Sequence, residues 1–240
     1  MKKTNIMVAV LTGSERHFWI HPHLMLELLR MPLWQIKTGC GLAVTTIHGY
    51  TPVAAARNVA VEEMLKRGDE WLLQVDNDTV PPPNILDIFE NIGDRKIVGF
   101  PTPMEHGQGK TVFNVGHHVG EMCELYKSLP ADWSTAELVG SGCLLVHRDV
   151  FLSLKDPWFE HRDVVKLRRH LNEDFYFCDK AREKGFEVWT NSNFVCRHYH
   201  TVELLEQMVQ VPQAVEKYHQ GLSSALGQRM PTPQDLNLKF

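Results

Sequence analysis

Residues 71–84, WLLQVDNDTVPPPN, contain an apolar run followed by two aspartates and then three prolines. The run WLLQV has the length and composition of a buried strand. The prolines at 81–83 cannot extend a central strand, because proline has no backbone N–H to donate to a neighbour. A strand is therefore predicted to end at Asp76-Asn77-Asp78, with a helix following at about residues 84–91.

The segments before this stretch alternate between strand and helix patterns. Strand patterns cover residues 5–11 and 41–47, and helix patterns cover residues 23–31 and 54–67. The second helix has both ends marked, because Thr51-Pro52 provides an N-cap with a first-turn proline and Gly68 provides a C-cap. This alternation predicts an α/β/α sandwich with a mostly parallel, mixed sheet. Ligands of such sheets bind beyond the carboxyl ends of the strands, where the Asp-Asn-Asp triplet falls.

The second half of the chain is less regular. Short strands are predicted at 96–100, 111–115, 137–147, 187–190 and 194–198, and a helix at 173–184. Asn172 is a candidate N-cap for that helix, and Gly185 ends it. From about residue 211 a further helix and a loose tail are expected. The domain prediction is one domain over 1–210, followed by a C-terminal helix and tail over 211–240.

Composition narrows the class of protein. The 240 residues carry a formal net charge of −4, which gives no general attraction to nucleic acid. No stretch approaches the roughly eighteen apolar residues of a membrane span. The five cysteines are scattered without a CxxC pair, which favours reduced thiols and a cytoplasmic location over a disulfide framework.

The Asp76-Asn77-Asp78 triplet is the sharpest chemical signal in the sequence. Two carboxylates two residues apart at a strand end can both approach one divalent cation. Mg²⁺ or Mn²⁺ is the natural occupant, because these ions combine a few carboxylates with substrate phosphates. The alternative is a solvated turn rich in aspartate and asparagine.

The order of these motifs resembles the nucleotide-sugar half of family 2 glycosyltransferases, which have the A-type (GT-A) fold. An Ala56-Arg57-Asn58 helix precedes a strand that ends in DxD, and a proline follows. The resemblance implies that Asp76 lies near the ribose and the metal and that Asp78 binds the metal directly. It also implies that Arg57 contacts the nucleotide or its phosphates and that Thr12 lines the base pocket. A surface arginine is the alternative for Arg57.

The same resemblance extends to Asn172-Glu173-Asp174-Phe175, which is similar to the family's "ED" motif at a helix start. In that family a carboxylate acts as general base on the acceptor hydroxyl, which implies Asp174, or else Glu173, as catalytic residue. The helix N-terminus is expected to keep this carboxylate ionised. The alternative is acidic residues that only stabilise a helix.

Three further residues complete the predicted site. Asn77 and Gly142 are assigned to nucleotide-sugar binding, Gly142 because the Gly140-Ser141-Gly142 segment allows either close substrate approach or a simple strand bend. His198 follows the last predicted strand and matches a position where such enzymes carry a metal or phosphate ligand. His200, on the same strand face, is the alternative.

The implied function is metal-dependent transfer of a sugar from a nucleotide-sugar donor to a hydroxyl acceptor, with inversion. Residues 1–100 would form the donor half and residues 101–210 the acceptor half. A UDP-sugar is favoured, although 45–48 lacks the acidic residue that binds uracil in many relatives. The inverting outcome depends on Asp174 reaching the acceptor, because retaining enzymes of this fold also carry a DxD and a histidine.

Three other functions are compatible with parts of the sequence. A sugar nucleotidyltransferase shares the sheet and the carboxylates, but residues 11–16 are only a faint echo of its phosphate loop. A metal hydrolase could use His21-Pro22-His23 or His117-His118, although no HExxH is present. A non-catalytic nucleotide- or carbohydrate-binding module would keep the fold without turnover.

One basic and aromatic segment, residues 155–170, precedes the predicted base. It contains Trp158, Phe159, Arg162, Lys166, Arg168 and Arg169. One hypothesis makes it a mobile loop that closes over donor and acceptor, and the other makes it a solvated helix face.

Overall fold

The computed structural model of the protein describes residues 3–13, 19–105, 111–120, 122–130, 132–164 and 169–199. The predicted tail at 211–240 and the alternative ligand His200 lie outside these ranges, so the domain boundaries stay a prediction. Within the described ranges, no helix has the length and apolar character needed to cross a bilayer.

The described chain contains four α-helices and sixteen short strands. The helices are α1 Pro22–Thr38, α2 Val53–Arg67, α3 Arg148–Ser153 and α4 Glu173–Glu183, with a 3₁₀ helix at Ile85–Glu90. The strands are β1 Asn5–Leu11, β2 Gly41–Ile47, β3 Trp71–Asp76, β4 Thr79–Val80, β5 Ile97–Gly99, β6 Pro103–Glu105, β7 Thr111–Phe113, β8 Val115–Val119, β9 Met122–Leu125, β10 Trp133–Ala136, β11 Leu138–Val139, β12 Cys143–His147, β13 Arg162–Val164, β14 Arg169–Leu171, β15 Val188–Asn191 and β16 Arg197–His198.

A seven-stranded sheet forms the centre of the protein, in the order β10-β15-β5-β12-β3-β1-β2. Strands β1, β2, β3, β5 and β15 run in one direction, and β10 and β12 run in the other. The predicted mostly parallel, mixed α/β sheet is therefore confirmed. A smaller sheet, β11-β8-β9, lies in the second half of the chain.

The core has one layer on each face of the central sheet, as the alternation of side chains in β1 requires. Met7, Ala9 and Leu11 pack with α2, α3 and α4 on one face. Ile6, Val8 and Val10 pack with α1 and the 3₁₀ helix on the other. The sheet is thus covered on both faces.

The carboxyl ends of the first three strands are level with one another. Leu11, the last residue of β1, pairs with Ile47 of β2 and with Asp76 of β3. The residues that follow these ends therefore meet at one edge, and this edge carries the candidate active site.

The boundaries predicted for two helices are wrong at one end each. Helix α1 was predicted over 23–31 but extends to Thr38 through Pro32, because Leu28 and Trp34 pack into the core on either side of the proline. Helix α2 begins at Val53 after Pro52, without a side-chain cap, so Thr51 is not its N-cap. Its predicted C-cap is confirmed, since Gly68 has φ 78° and donates its N–H to Met64 and Leu65.

The segment at 155–170 does not form the solvated helix face of one hypothesis in the part that can be described, and its closure over donor and acceptor stays a hypothesis. Trp158 and Phe159 belong to the core, and the side-chain amide of Asn58 binds their backbone at 2.9–3.1 Å. Strands β13 and β14 then pair as an antiparallel hairpin, so a helix face is wrong here. Lys166 and Arg168 lie outside the described residues.

Gly140 tests how tightly the small sheet packs. A Cβ at this position would lie 2.7 Å from Nδ2 and 2.9 Å from Cβ of Asn114, whose Oδ1 accepts a 2.7 Å hydrogen bond from the N–H of Thr102. We expect Gly140→Ala to lower the free energy of unfolding by about 1–3 kcal/mol in a urea titration, because the backbone must shift. Gly142→Ala is the matched control, since its Cβ would come no closer than 3.3 Å to Thr79 Oγ1. Equal losses in the two variants would contradict this packing explanation.

Candidate active site

A cavity of about 300 Å³ opens at the carboxyl ends of β1 and β3. Its lining includes Thr12, Tyr50, Val53, Ala56, Asp76 and Asp78. Clefts of about 500 Å³ and about 510 Å³ lie along β2 and beside α4, but neither is lined by Asp76 or Asp78. The smaller cavity therefore coincides with the predicted chemistry.

Arg57 is the central buried charge beneath this cavity. Its side chain is only 3% exposed, so the surface-arginine alternative is wrong. Nε donates to Glu173 Oε1 at 3.1 Å, Nη1 donates to the carbonyl of Ser141 at 3.0 Å, and Nη2 donates to Asp76 Oδ2 at 3.1 Å. Burial lowers the pKa of Arg57, but Asp76 and Glu173 outweigh it and the net shift is upward. All three nitrogens bind protein oxygens, and the predicted contact of Arg57 with the nucleotide stays a prediction.

Asp76 shares its carboxylate between Arg57 and the cavity. Its Oδ1 lies 3.1 Å from Nη1 of Arg57, and its side chain is 28% exposed. The backbone N–H of Asp76 donates to the carbonyl of Gly142 at 2.8 Å. Burial raises the pKa of Asp76, and Arg57 opposes that rise. The carboxylate is therefore fixed in direction before any ligand arrives.

Asp78 and His198 face each other at the start of the short β4–β16 ladder. Thr79 pairs with His198 in that ladder, and Nε2 of His198 lies 3.7 Å from Oδ2 of Asp78. Nδ1 of His198 lies 3.2 Å from the carbonyl oxygen of Pro103. The Asp78 carboxylate raises the pKa of His198 above its ordinary value.

The Asp78 and His198 side chains are suited to bind a divalent cation. A ring nitrogen that donates to a carbonyl, here Pro103, leaves the other nitrogen of the imidazole to bind a metal, the usual arrangement in metal sites. However, the described residues contain no group of three or more His, Cys, Asp or Glu side chains arranged to hold an ion. The fit is therefore to an ion such as Mg²⁺ or Mn²⁺ that completes its shell with water and substrate oxygens.

Glu173 and Asp174 occupy the first turn of α4, as predicted, but in different environments. Glu173 is 7% exposed and lies between Arg57 and His161, whose Nε2 is 3.4 Å from Oε2. Asp174 accepts a 2.8 Å hydrogen bond from the N–H of Phe175. Asn172 precedes the helix but makes no side-chain cap.

Two predicted donor ligands make contacts within the protein. Asn77 donates its side-chain N–H to the carbonyl of Trp19 at 2.8 Å, so it anchors the segment before α1. Thr12 is 3% exposed and lines the cavity, and its hydroxyl lies 3.5 Å from the carbonyl of Ile47. The cavity wall is the predicted place for Thr12, whereas the Asn77 amide is turned toward Trp19.

The Gly140-Ser141-Gly142 segment links β11 to β12 and serves two purposes. Gly140 gives room for Asn114, while Gly142 faces the site, where an added Cβ would lie 3.5 Å from Asp76 Oδ2. The carbonyl of Ser141 binds Arg57. Sequence reasoning identified the glycines but not the role of the Ser141 backbone.

An aromatic group beside Asp78 was missed by sequence reasoning. The rings of His21 and Tyr199 stack with centroids 3.8 Å apart, and Nδ1 of His23 lies 2.9 Å from the hydroxyl of Tyr199. The N–H of Tyr199 donates to the carbonyl of Asp78. The available signal was the position of Tyr199 directly after His198. The His21 and His23 pair was noted only for the hydrolase alternative, which this packing does not support.

Comparison with solved structures supports the same architecture. The structure of A197 from STIV has a TM-score of 0.54 at 14% identity, covering 82% of this chain and 86% of that chain. The structure of GalNAc-T7 with UDP, GalNAc and Mn²⁺ has a TM-score of 0.50 at 11% identity. That match covers 84% of this chain but only 45% of that one. The chain has the GT-A fold.

Other comparisons add nothing finer. A putative glucose-1-phosphate thymidylyltransferase from Bacillus anthracis matches with a TM-score of 0.43 at 11% identity over 78% of this chain and 89% of that chain, which is too low for an inference. No protein-family model and no curated sequence matches this chain.

Within this GT-A fold, the environment of Asp174 differs from the expectation. Burial, reinforced by the neighbouring Glu173 charge, raises the pKa of Asp174 to about 7. Arg57 and the backbone N–H groups of Phe175 and Ser141 oppose the rise without cancelling it. Desolvation therefore outweighs the helix dipole at Asp174, and a carboxyl with a pKa of about 7 is half ionised at neutral pH.

This raised pKa predicts a pH-dependent stability difference. The unfolded chain ionises Asp174 near pH 3.8 and the folded chain near pH 7, so ionisation costs stability progressively between these values. Asp174→Asn should exceed the native protein in free energy of unfolding, with a gain that grows from pH 4 to pH 7 and then levels at roughly 2–4 kcal/mol.

The control for that measurement is Asp149→Asn in α3. A hydrogen bond from Lys96 lowers the pKa of Asp149, so its contribution to stability is present at neutral pH and is lost on acidification. Its side chain is 47% exposed, so the loss in the variant should be small and opposite in sign. A gain for Asp174→Asn that does not change with pH would refute the burial of an ionisable carboxyl.

Proposed function

We propose that this protein transfers a sugar from a nucleotide-sugar donor to a hydroxyl acceptor, with a bound Mn²⁺ or Mg²⁺ and with inversion at the anomeric carbon. The observation that carries the proposal is that two sets of charged side chains lie at the same edge of the sheet. Asp78 and His198 lie 3.7 Å apart on one side, and Arg57 ties Asp76 to Glu173 beside Asp174 on the other.

Asp78 and Nε2 of His198 would hold the cation, with Asp76 beside them. The cation, when bound, neutralises the negative charge that develops on the departing nucleoside diphosphate. Thr12, Tyr50 and Val53 would form the wall against which the base and ribose lie, since they line the adjoining cavity. A UDP-sugar is the first donor to test.

Asp174 would act as the general base. A carboxylate with a pKa of about 7 is half ionised at neutral pH and is basic enough to accept the proton of the attacking hydroxyl. Glu173 is the weaker candidate, because it already receives a hydrogen bond from Arg57 and lies close to His161. Direct attack by the acceptor on the donor sugar would give inversion.

Arg57 would be a positioning residue instead of a phosphate ligand. Its guanidinium fixes Asp76 and Glu173, and with them the first turn of α4, while its own nitrogens bind the protein. Four cysteines, Cys40, Cys143, Cys178 and Cys196, are buried thiols, and this supports a reducing, cytoplasmic location as part of the proposal.

The first test is a thermal-shift screen of UDP, GDP, CMP and dTDP donors with and without Mn²⁺. We expect one nucleotide to raise Tm only in the presence of metal, because Asp78 and His198 offer too few ligands to hold either component alone. Asp78→Asn should abolish the shift, and Asp149→Asn, which lies away from the site, should keep it. A nucleotide shift that is unchanged by Asp78→Asn would refute the metal assignment.

The products separate the proposed reaction from its nearest rival. A glycosyltransferase releases a nucleoside diphosphate, whereas a sugar nucleotidyltransferase releases pyrophosphate from a nucleoside triphosphate and a sugar phosphate. Donor binding without turnover over a range of hydroxyl acceptors would point to a non-catalytic binding module.

The kinetic prediction concerns Asp174. With a matched donor and acceptor, or with water as acceptor, kcat/KM should fall as pH drops through about 7. Asp174→Asn should lose about 100-fold or more in kcat and lose the pH dependence, because a neutral amide cannot accept the proton. Its metal-dependent donor shift should persist. If Asp174→Asn keeps full turnover, the base is another group.

A further inference from the structure

The β8–β9 hairpin carries a second cluster of reactive side chains, outside the sheet edge described above. The register pairs His118 with Cys123 and His117 with Glu124. Side chains directly opposite each other in an antiparallel pair point to the same face, and consecutive residues point to opposite faces. His118 and Cys123 therefore share one face of the hairpin, and His117 and Glu124 share the other.

On its face, His118 lies between a thiol and a carboxylate. Nε2 of His118 is 2.9 Å from Oδ1 of Asp179, and Nδ1 is 3.9 Å from Sγ of Cys123. A carboxylate that accepts from Nε2–H fixes the tautomer of the ring. The lone pair of Nδ1 then faces the Cys123 thiol, which is the arrangement of a nucleophile, a base and an orienting group.

The orienting carboxylate and the imidazole are themselves held in place. Nη1 of Arg182 lies 3.7 Å from Asp179, and Nη2 donates to Glu137 at 3.0 Å. Glu137 in turn accepts a hydrogen bond from the backbone N–H of His118, which lowers the pKa of Glu137. Asp179 and Arg182 come from α4 and Glu137 from the segment between β10 and β11, so two other parts of the chain fix the ring.

Cys123 differs from the other cysteines in its exposure to solvent. Cys40, Cys143, Cys178 and Cys196 are each at most 3% exposed, whereas Cys123 is partly exposed. The ring partners of Cys123 are also open to solvent, with side-chain exposures of 26% for His118 and 31% for Asp179. Cys123 is therefore the cysteine that a small reagent is most expected to reach in the folded chain.

We propose that Cys123 is an activated thiol that undergoes thiol–disulfide exchange with small disulfides, with His118 as its base and Asp179 as the group that orients His118. The thiol proton passes to Nδ1 of His118 as Sγ attacks one sulfur of the disulfide. The S–S bond breaks, and the departing thiolate takes the proton. The products are a mixed disulfide at Cys123 and one free thiol.

The test uses the native chain and an uncharged dipyridyl disulfide, which releases a chromophoric pyridinethione. We expect one rapid equivalent of release per chain, located at Cys123 by peptide mass spectrometry and absent in Cys123→Ser. Asp179→Asn and His118→Gln should each slow that phase by about tenfold or more, because the base is disoriented or removed. His117→Gln is the matched control on the opposite face and should react at the native rate.

Each outcome decides the proposal. Native rates within about twofold in both Asp179→Asn and His118→Gln would overturn it, as would rapid modification at another cysteine or no rapid phase at all. Loss of the fold in a variant is distinguishable from loss of activation, because unfolding would expose the four buried thiols and increase the total release. This proposal does not depend on the proposed transferase activity.

Discussion

The rest of the site depends on one buried guanidinium. Arg57 is carried by α2, and its three nitrogens reach Asp76 at the end of β3, the carbonyl of Ser141, and Glu173 at the start of α4. Burying a lone charge is costly, and here two carboxylates and a carbonyl offset that cost. Removing Arg57 would take this shared partner from both carboxylates, so α2, the end of β3 and the start of α4 would lose the contacts that hold them together.

Burial and charge act together on the carboxylates near Arg57. Burial is the main cause of the raised pKa of Asp174, and the neighbouring Glu173 charge adds to it. Burial likewise raises the pKa of Asp76, where Arg57 opposes the rise and the charges of Asp78 and Glu173 add to it. The proposed divalent cation at Asp78 would offset part of this repulsion at Asp76.

Features set by neighbouring residues could be predicted from the sequence, whereas features set by contacts between distant residues could not. Strand ends, the Gly68 cap and the acidic start of α4 follow from neighbouring residues, and they are where they were expected. Helix α1 continues past Pro32 because Trp34 packs in the core. The sequence before Pro32 does not predict this contact. The partners of Arg57 are 19, 84 and 116 residues away in sequence, so only the folded chain shows that its nitrogens are engaged. Burial of Asp174 is likewise a tertiary effect that reverses the local helix-dipole argument.

The direction of Asn77 is a further example of what local patterns do not show. Asn77 and Asp78 form a turn between β3 and β4, so the alternation of side chains along a strand does not apply to them. The Asn77 amide donates to the carbonyl of Trp19 and holds the segment that precedes α1, while Asp76 and Asp78 line the cavity. The turn therefore places an anchoring amide between two carboxylates that remain at the cavity. If Asp78 and His198 hold the cation as proposed, the described residues supply no third His, Cys, Asp or Glu ligand, so the cation and the donor diphosphate would complete each other's binding.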